Sequence, residues 1–366
     1  MTRNIPAPFA SRLADGREIL FFSSDGAPLV GVDRRDLPPR PTVPTTTVRR
    51  DPTTGDSVIV APARQERTYK PPRTMCPLDP DPAGRSSEIP AEDYEVVVFE
   101  NRFPSLSTPD GWEVAAPAQP DPLRVQWSGL GRCEVVCFTS DHDGSFAGLT
   151  QRRARLVIDA WTHRTAELFA RSDIEEVYCF ENRGEEIGVT LTHPHGQIYG
   201  YPFRTRRTAS LLRTAAQYRN EHGRDLFEAV LASEIADGDR ILVRTELTTA
   251  FVPYAAKWPV EVHVYPNRHV HNLTELTDAE ADDLAAVYLT LLRAFDALYE
   301  APLPYIASWH QYRTGEPEGY LHAELFSIRR SADKLKYLAG SESGRDAFVT
   351  DKTPEAIADE LRAVIG

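Results

Sequence analysis

Cysteine is scarce, a long apolar run is missing and basic residues are outnumbered, and each shortage excludes a class of function. The four cysteines of this 366-residue chain, Cys76, Cys133, Cys137 and Cys179, are too few for the disulfide framework of a small secreted domain. Reduced thiols and a cytoplasmic protein are expected. No stretch approaches the ~20 consecutive apolar residues of a membrane span. The opening MTRNIPAPFASRLADG lacks the apolar core of a signal peptide, so neither a membrane nor a targeting step is expected. Only 41 Lys and Arg stand against 54 Asp and Glu, a formal charge of −13, which repels nucleic acid and anionic lipid. A few local arginines can still hold a small anion.

What is present is a globular composition, 41% apolar and 26% charged, with enough length for two cores. The first ninety or so residues are rich in proline; PPRPTVPTTTVRRDPTTG and YKPPRTMCPLDPDPAG predict turns and extended arms with little core of their own. Beyond them the β-branched and aromatic density of YEVVVFE (94–100), CEVVCFT (133–139) and EEVYCFEN (175–182) predicts strands. Apolar residues at helical spacing follow Thr150, a candidate N-cap. A second helix is expected behind Thr277, where Glu280 completes a capping-box pattern.

These blocks repeat. EVVCFTSDHDGSFAGLT (134–150) lies over EVHVYPNRHVHNLTELT (261–277), pairing Glu134 with Glu261, His142 with His269, Leu149 with Leu276 and Thr150 with Thr277, all 127 positions apart. The same shift takes Tyr178 to Tyr305 and His195 to His322. Such a register predicts an α+β fold made of a duplicated unit, each copy an antiparallel sheet with a packed helix. The expected division is an N-terminal arm over 1–45, a first unit over 46–205 and a second over 206–366. At the decisive position the copies differ: HPHGQ (193–197) faces YLHAE (320–324), so one active site per chain is expected.

His193 and His195 are two apart on a predicted strand and therefore share a face. Pro194 stiffens the backbone between them, and Gly196 leaves room for a close approach. The pair can be a metal clasp, a nucleophile with its neighbour, or two ordinary strand histidines. A neutral imidazole is a good nucleophile toward phosphorus, because the phosphoramidate it forms is readily cleaved again. Cys76, His142 and Asp79 lie in turn-like segments, where metal ligands are commonly presented, and would make a set with His193.

The segments ENRGEEIGVTLTHPHGQIYGYPF, GRCEVVCFTSDH, FVPYAAKWPVEVHVYPNRHVHNLTELT and DPTTGDSVIVAPARQERTYKPP resemble the galactose-1-phosphate uridylyltransferase family. That family is a transferase branch of the histidine triad superfamily built from two fused triad-like units. Gln197 stands where the superfamily's hydrolases carry a third histidine. The resemblance implies ping-pong exchange of UMP between UDP-glucose and galactose 1-phosphate through a uridylyl-histidine. His195 would be the nucleophile and Gln197 the donor to the phosphoryl oxygens. It also implies a zinc ion held by Cys76, His142 and His193, with Asp79 where many members have a second cysteine. Arg64, Arg67, Asn101, Phe103, Asn182 and Thr190 match substrate-binding positions. Lys336 and Glu342 match a sugar-binding segment that reaches a neighbouring subunit, which implies a homodimer with composite sites.

Some positions depart from the family pattern. The family's second metal is held by one Glu and three His; here His310 and His322 match, Glu324 replaces the third His and Leu211 replaces the Glu. Arg102 replaces an acidic ribose contact and Ser341 a sugar-binding aromatic. Two other readings use the same motifs: a nucleotidyltransferase or phosphorylase acting on another nucleotide sugar or an ADP compound, and a non-catalytic, zinc-stabilised binding protein.

Overall fold

Alternation along the apolar segments sends the side chains of each strand into two different layers. In the computed structural model, which describes residues 5–24, 26, 30–66, 70–112, 121–299 and 301–365, eleven strands form one antiparallel sheet. In chain order they are β1 (Phe9–Arg12), β2 (Glu18–Phe22), β3 (Val96–Glu100), β4 (Arg132–Cys137), β5 (Glu176–Arg183), β6 (His195–Tyr201), β7 (Ile241–Arg244), β8 (Thr248–Phe251), β9 (Val260–Pro266), β10 (Tyr305–His310) and β11 (His322–Ser327). Across the sheet they run β1-β2-β3-β4-β6-β5-β10-β11-β9-β8-β7. The helices are α1 (Gln151–Phe169), α2 (Arg206–His222), α3 (Leu226–Asp237), α4 (Asp278–Ala297), α5 (Gly340–Arg345) and α6 (Pro354–Ile365).

The sequence repeat is visible in this order. β5 and β10 pair at the middle, with Phe180 opposite Ser308 and Glu181 opposite Ala307, and the strands outward from that seam correspond: β6 with β11, then β4 with β9. Both predicted helix starts are capped. The Thr150 hydroxyl accepts from the Arg153 N–H at 3.2 Å. Thr277 and Glu280 form the reciprocal box, at 3.2 and 2.8 Å.

One expectation is corrected. The N-terminal arm over 1–45 is not merely draped over other elements, because β1 and β2 extend the main sheet and Ile19, Leu20, Phe21 and Phe22 are all buried. β2 is covered on both faces, so its residues form one short apolar run with no alternation to read. Leu20 and Phe22 join the same core as Val136, whereas Ile19 and Phe21 join Val135 and Cys137 on the opposite face. A separate three-stranded sheet joins Thr47–Arg50 to Ser57–Val60 and Gln126–Ser128.

α1 and α4 lie together over one face of the sheet, and their shared core runs across the seam. Phe146, Trp161, Tyr288 and Trp309 form an aromatic cluster with centroids 5.1 to 6.3 Å apart, and truncating one such ring to alanine costs about 3 to 5 kcal/mol. On the opposite face α2 and α3 cover the second unit only, with Ala215, Phe227 and Leu231 packed on Phe251, Tyr265 and Tyr320. The corresponding face of the first unit carries the HPHGQ strand.

Beneath that strand Glu181 is buried, with the Tyr305 hydroxyl donating to it at 2.9 Å. Burial raises its pKa from 4.5 to about 7. The folded protein therefore holds a proton there that the unfolded chain releases above pH 4.5, so this contribution is complete below pH 4.5 and is lost as pH rises toward 7. Glu181→Gln should abolish a pH-dependent loss on the order of 2 to 3 kcal/mol over that window. Urea denaturation at several pH values checks it; a parental pH slope persisting in the variant would refute the assignment.

Candidate active site and metal centre

Strand β6 places His195 and Gln197 opposite Cys137 and Val135 of β4, on the face turned away from α1 and α4. Gly196 points the other way. A Cβ there would sit 2.8 Å from the Phe138 ring and from the Phe180 carbonyl, so the glycine lets the strand lie flat on its core rather than admitting a ligand. His195 is half-buried and opens on a cleft of about 160 Å³ lined by Gly144, Ser145, Asn182, Gly184 and Thr192.

The ring of His195 is held by its own strand. Nδ1 lies 2.8 Å from the His193 carbonyl oxygen. A carbonyl can only accept, so Nδ1 carries the proton and Nε2 keeps its lone pair. Burial depresses the pKa of His195 and outweighs the opposing carbonyl bond, so the imidazole is neutral. A fixed tautomer, a free Nε2 and a neutral ring are what nucleophilic attack on phosphorus requires.

The sulfur of Cys76, a carboxylate oxygen of Asp79 and one ring nitrogen each of His142 and His193 lie within 4.8 Å of one another. Asp79 Oδ1 is 2.7 Å from Nδ1 of His142 and 2.9 Å from Nδ1 of His193. His193 Nε2 lies 2.8 Å from the Thr139 carbonyl, which can only accept, and 2.8 Å from the Tyr94 hydroxyl, which can also donate. A neutral ring has one N–H for two acceptors, the Thr139 carbonyl and Asp79, so only a charged ring or a cation beside Asp79 satisfies both. Burial works against the charged ring and lowers the pKa of His193, despite the contacts with Thr139 and Asp79. Burial also opposes ionisation of Asp79, but bonds from His142 and His193 prevail and hold its carboxyl below the usual range. The donor set thus fits a divalent cation better than a proton.

The described substrate-binding positions expected from the sequence fall in four places. Asn182 lines the His195 cleft. Thr190 lines an adjoining hollow with Cys76 and His142. Arg64 donates to the Phe103 carbonyl at 3.0 Å, and Asn101 accepts from the Phe103 N–H at 2.9 Å, so these three form one local assembly. Arg67 lies outside the described residues. Lys336 and Glu342 are paired with each other at 2.9 Å. Lys336 borders a separate cavity with Pro259 and Lys352, which the residues of the His195 cleft do not line. Arg102 is exposed and lies over the Phe103 ring, while Ser341 donates to the Ala347 carbonyl.

Sequence patterns do not single out Tyr94, Thr139 or Thr192, although each supports the centre. The Tyr94 hydroxyl is 2.8 Å from His193 Nε2, and the Thr192 hydroxyl 3.1 Å from His142 Nε2. A lone aromatic or threonine beside a strand has no spacing signature; only Thr192, adjacent to the motif, could have been suspected.

His310, His322 and Glu324 also converge within 4.8 Å. Leu211 does not join them, because it packs into the apolar cluster of Ala215 and Phe227.

Family comparisons agree with this geometry. The N-terminal domain family of galactose-1-phosphate uridyl transferase matches residues 38–205, and the C-terminal domain family matches residues 211–364. A galactose-1-phosphate uridylyltransferase of Streptomyces lividans is 46% identical, with 97% of each chain covered. That of Thermotoga maritima is 34% identical over 86% of this chain and 97% of its own length. A solved uridylyltransferase superposes with a TM-score of 0.77 at 31% identity, covering 87% of this chain and 98% of the other. An ADP-glucose phosphorylase of Arabidopsis thaliana with bound ADP-glucose shares the fold alone, at 20% identity and a TM-score of 0.65 over 87% and 98% of the two chains. With both halves matched in order and the histidine motif in place, the chain belongs to the galactose-1-phosphate uridylyltransferase family.

Proposed function

We propose that the protein exchanges UMP between UDP-glucose and galactose 1-phosphate by double displacement at His195. The observation that carries this reading is the His195 ring, with Nδ1 bonded to the His193 carbonyl at 2.8 Å and Nε2 left free, in a chain whose relatives over nearly its whole length are named for this activity. Nε2 attacks the α-phosphorus, the bond to the bridging oxygen breaks and glucose 1-phosphate leaves with that electron pair. A phosphate oxygen of galactose 1-phosphate then attacks the same phosphorus, and the P–N bond breaks to return neutral His195. Gln197, on the same face of β6, offers an amide N–H to the nonbridging oxygens without supplying a water.

Arg64, Asn101, Phe103, Asn182 and Thr190 are proposed to hold the nucleotide and its phosphates, the guanidinium of Arg64 serving a phosphate. Arg67 is proposed for the same role. Lys336 and Glu342 are proposed to serve the sugar of a partner subunit in a homodimer. This fits the place of Lys336 on a cavity separate from the His195 cleft. The two units are taken as 46–205 and 206–366. A cytoplasmic location is consistent with four free cysteines and with the lack, among the described residues, of a helix long and apolar enough to cross a membrane.

A zinc ion is proposed for Cys76, Asp79, His142 and His193. Bound there, it supplies a structural clamp that fixes the strand leading into His195. His193 then acts twice, as a ligand through its side chain and as the carbonyl that orients the nucleophile.

Two outcomes are expected. His195→Gly should lower uridylyl transfer by at least ~10³-fold and abolish the base-stable, acid-labile label left by UDP-glucose labelled in the α-phosphate, with an unchanged circular dichroism spectrum. Parental labelling of that variant would exclude His195 as nucleophile. Asp79→Ala should weaken zinc at least ~10²-fold in competition with a chromophoric chelator, whereas Asp79→Cys should retain it. Unchanged zinc affinity in the alanine variant would remove Asp79 from the ligand set.

A further inference from the structure

The second unit keeps the histidine and its pose. His322 directs Nδ1 at the Tyr320 carbonyl at 2.8 Å, as His195 does toward His193 at 2.8 Å, so Nε2 of His322 also keeps its lone pair. The surroundings differ. His322 is buried under α2 and α3, with the Phe227 ring 5.3 Å from it. It stacks on His310 at 4.5 Å with the planes 5° apart. Nε2 of His310 is 3.3 Å from one oxygen of Glu324, and Nε2 of His322 is 3.8 Å from the other. Two imidazoles and a buried carboxylate within 4.8 Å are a set that divalent metals commonly take.

A cation is already present. Arg207 reaches in from the first turn of α2, and its NH2 group lies 2.5 and 2.6 Å from the two oxygens of Glu324. The Arg207 side chain is about half exposed, but the carboxylate it meets is buried, at 8%. A positive side chain at a helix N-terminus is opposed by the helix dipole, so its position there requires the opposite charge. One turn further along α2, Leu211 presents an alkyl group to the cluster around Phe227, which leaves that helix with no ligand to offer. On the sheet side Glu261 is 3.2 Å from His263, whose Nε2 is also 3.8 Å from Glu324, while Glu176 accepts from the Thr205 N–H at 2.8 Å.

We infer that the guanidinium of Arg207 holds the place of a divalent metal ion among His310, His322 and Glu324, so that the second unit is metal-free and removing this guanidinium opens a metal site. The physical reason is charge. A divalent ion and a guanidinium on one buried carboxylate repel each other, the guanidinium already engages both of its oxygens, and only the guanidinium is tethered. The two units would then have diverged in opposite senses, the first closing on a metal and the second on an internal ion pair.

The test is cobalt titration of the chelator-stripped full-length protein, followed by visible d–d absorption. Arg207→Ala should take up about one more Co²⁺ per chain than the parent, in a nitrogen and oxygen ligand field, and lose it again when His322→Ala is added. Arg207→Gln, which removes the charge but keeps an N–H for the carboxylate, should gain the same signal and provides a second variant if the alanine chain is unstable. Arg207→Ala combined with Glu324→Gln should regain parental melting temperature and bind no additional cobalt. The inference is overturned if the parent itself binds cobalt in a manner abolished by His322→Ala but not by Cys76→Ala. It is equally overturned if neither Arg207 variant gains a metal.

Discussion

A histidine ring bonded to the backbone two residues earlier in its own strand is the constraint on which the site depends. The bond from Nδ1 to the carbonyl of the residue two before it uses one ring nitrogen as an anchor and leaves the other as a reagent. It requires a strand, because only there do alternate residues share a face, and it requires that the strand not twist away under the ring. Gly196 meets the second condition by letting β6 rest directly on Phe138. The centre formed by Cys76, Asp79, His142 and His193 meets it from the other side, since it grips the residue whose carbonyl serves as the anchor. The His195 ring is thus oriented by its own strand and by the groups packed around His193.

The second unit places this bond in different surroundings. His322 makes it with the same length, yet the amide of Gln197 is replaced by the carboxylate of Glu324, which repels a phosphate. The helical hairpin of α2 and α3 then covers the face that is open in the first unit. The net charge of −13 sharpens this contrast. A dianionic sugar phosphate gains nothing from the molecule at large, so its affinity must come from a local site with neutral donors and a few arginines. Arg207 is not such a group, because Glu324 already occupies it.

What could be read from the sequence follows the physics of each element. α4 was legible because Thr277 and Glu280 make a reciprocal cap whose residue types and spacing are specific. The repeat was legible because a constant shift survives divergence of the residues between the matches. β2 was not, since a strand buried on both faces loses its period and lies in a proline-rich context. The hairpin of α2 and α3 escaped too; α2 has only Thr208, Leu212 and Ala215 fully buried, too sparse a stripe to stand out. Of the site, the strand motif was plain, but the roles of Tyr94 and Arg207 depend on residues 99 and 117 positions from their partners. Such pairs carry no local signature.

The two units are related by sequence, yet physically they form one body. The seam between β5 and β10 is an internal strand pair, so a separated first unit would expose the backbone edge of β5 from Cys179 to Arg183. It would also lose half of the aromatic cluster, because Trp161 belongs to one copy while Tyr288 and Trp309 belong to the other. Arg155 adds a charged tie from α1 to Asp278 at the start of α4. Each of these contacts crosses between copies, and together they make unfolding of either copy alone costly. A duplicated gene therefore leaves one cooperative sheet rather than two beads. That continuity gives the second copy a structural part of its own: it supplies the seam strand β10 and half of the aromatic core behind the strand that carries His195.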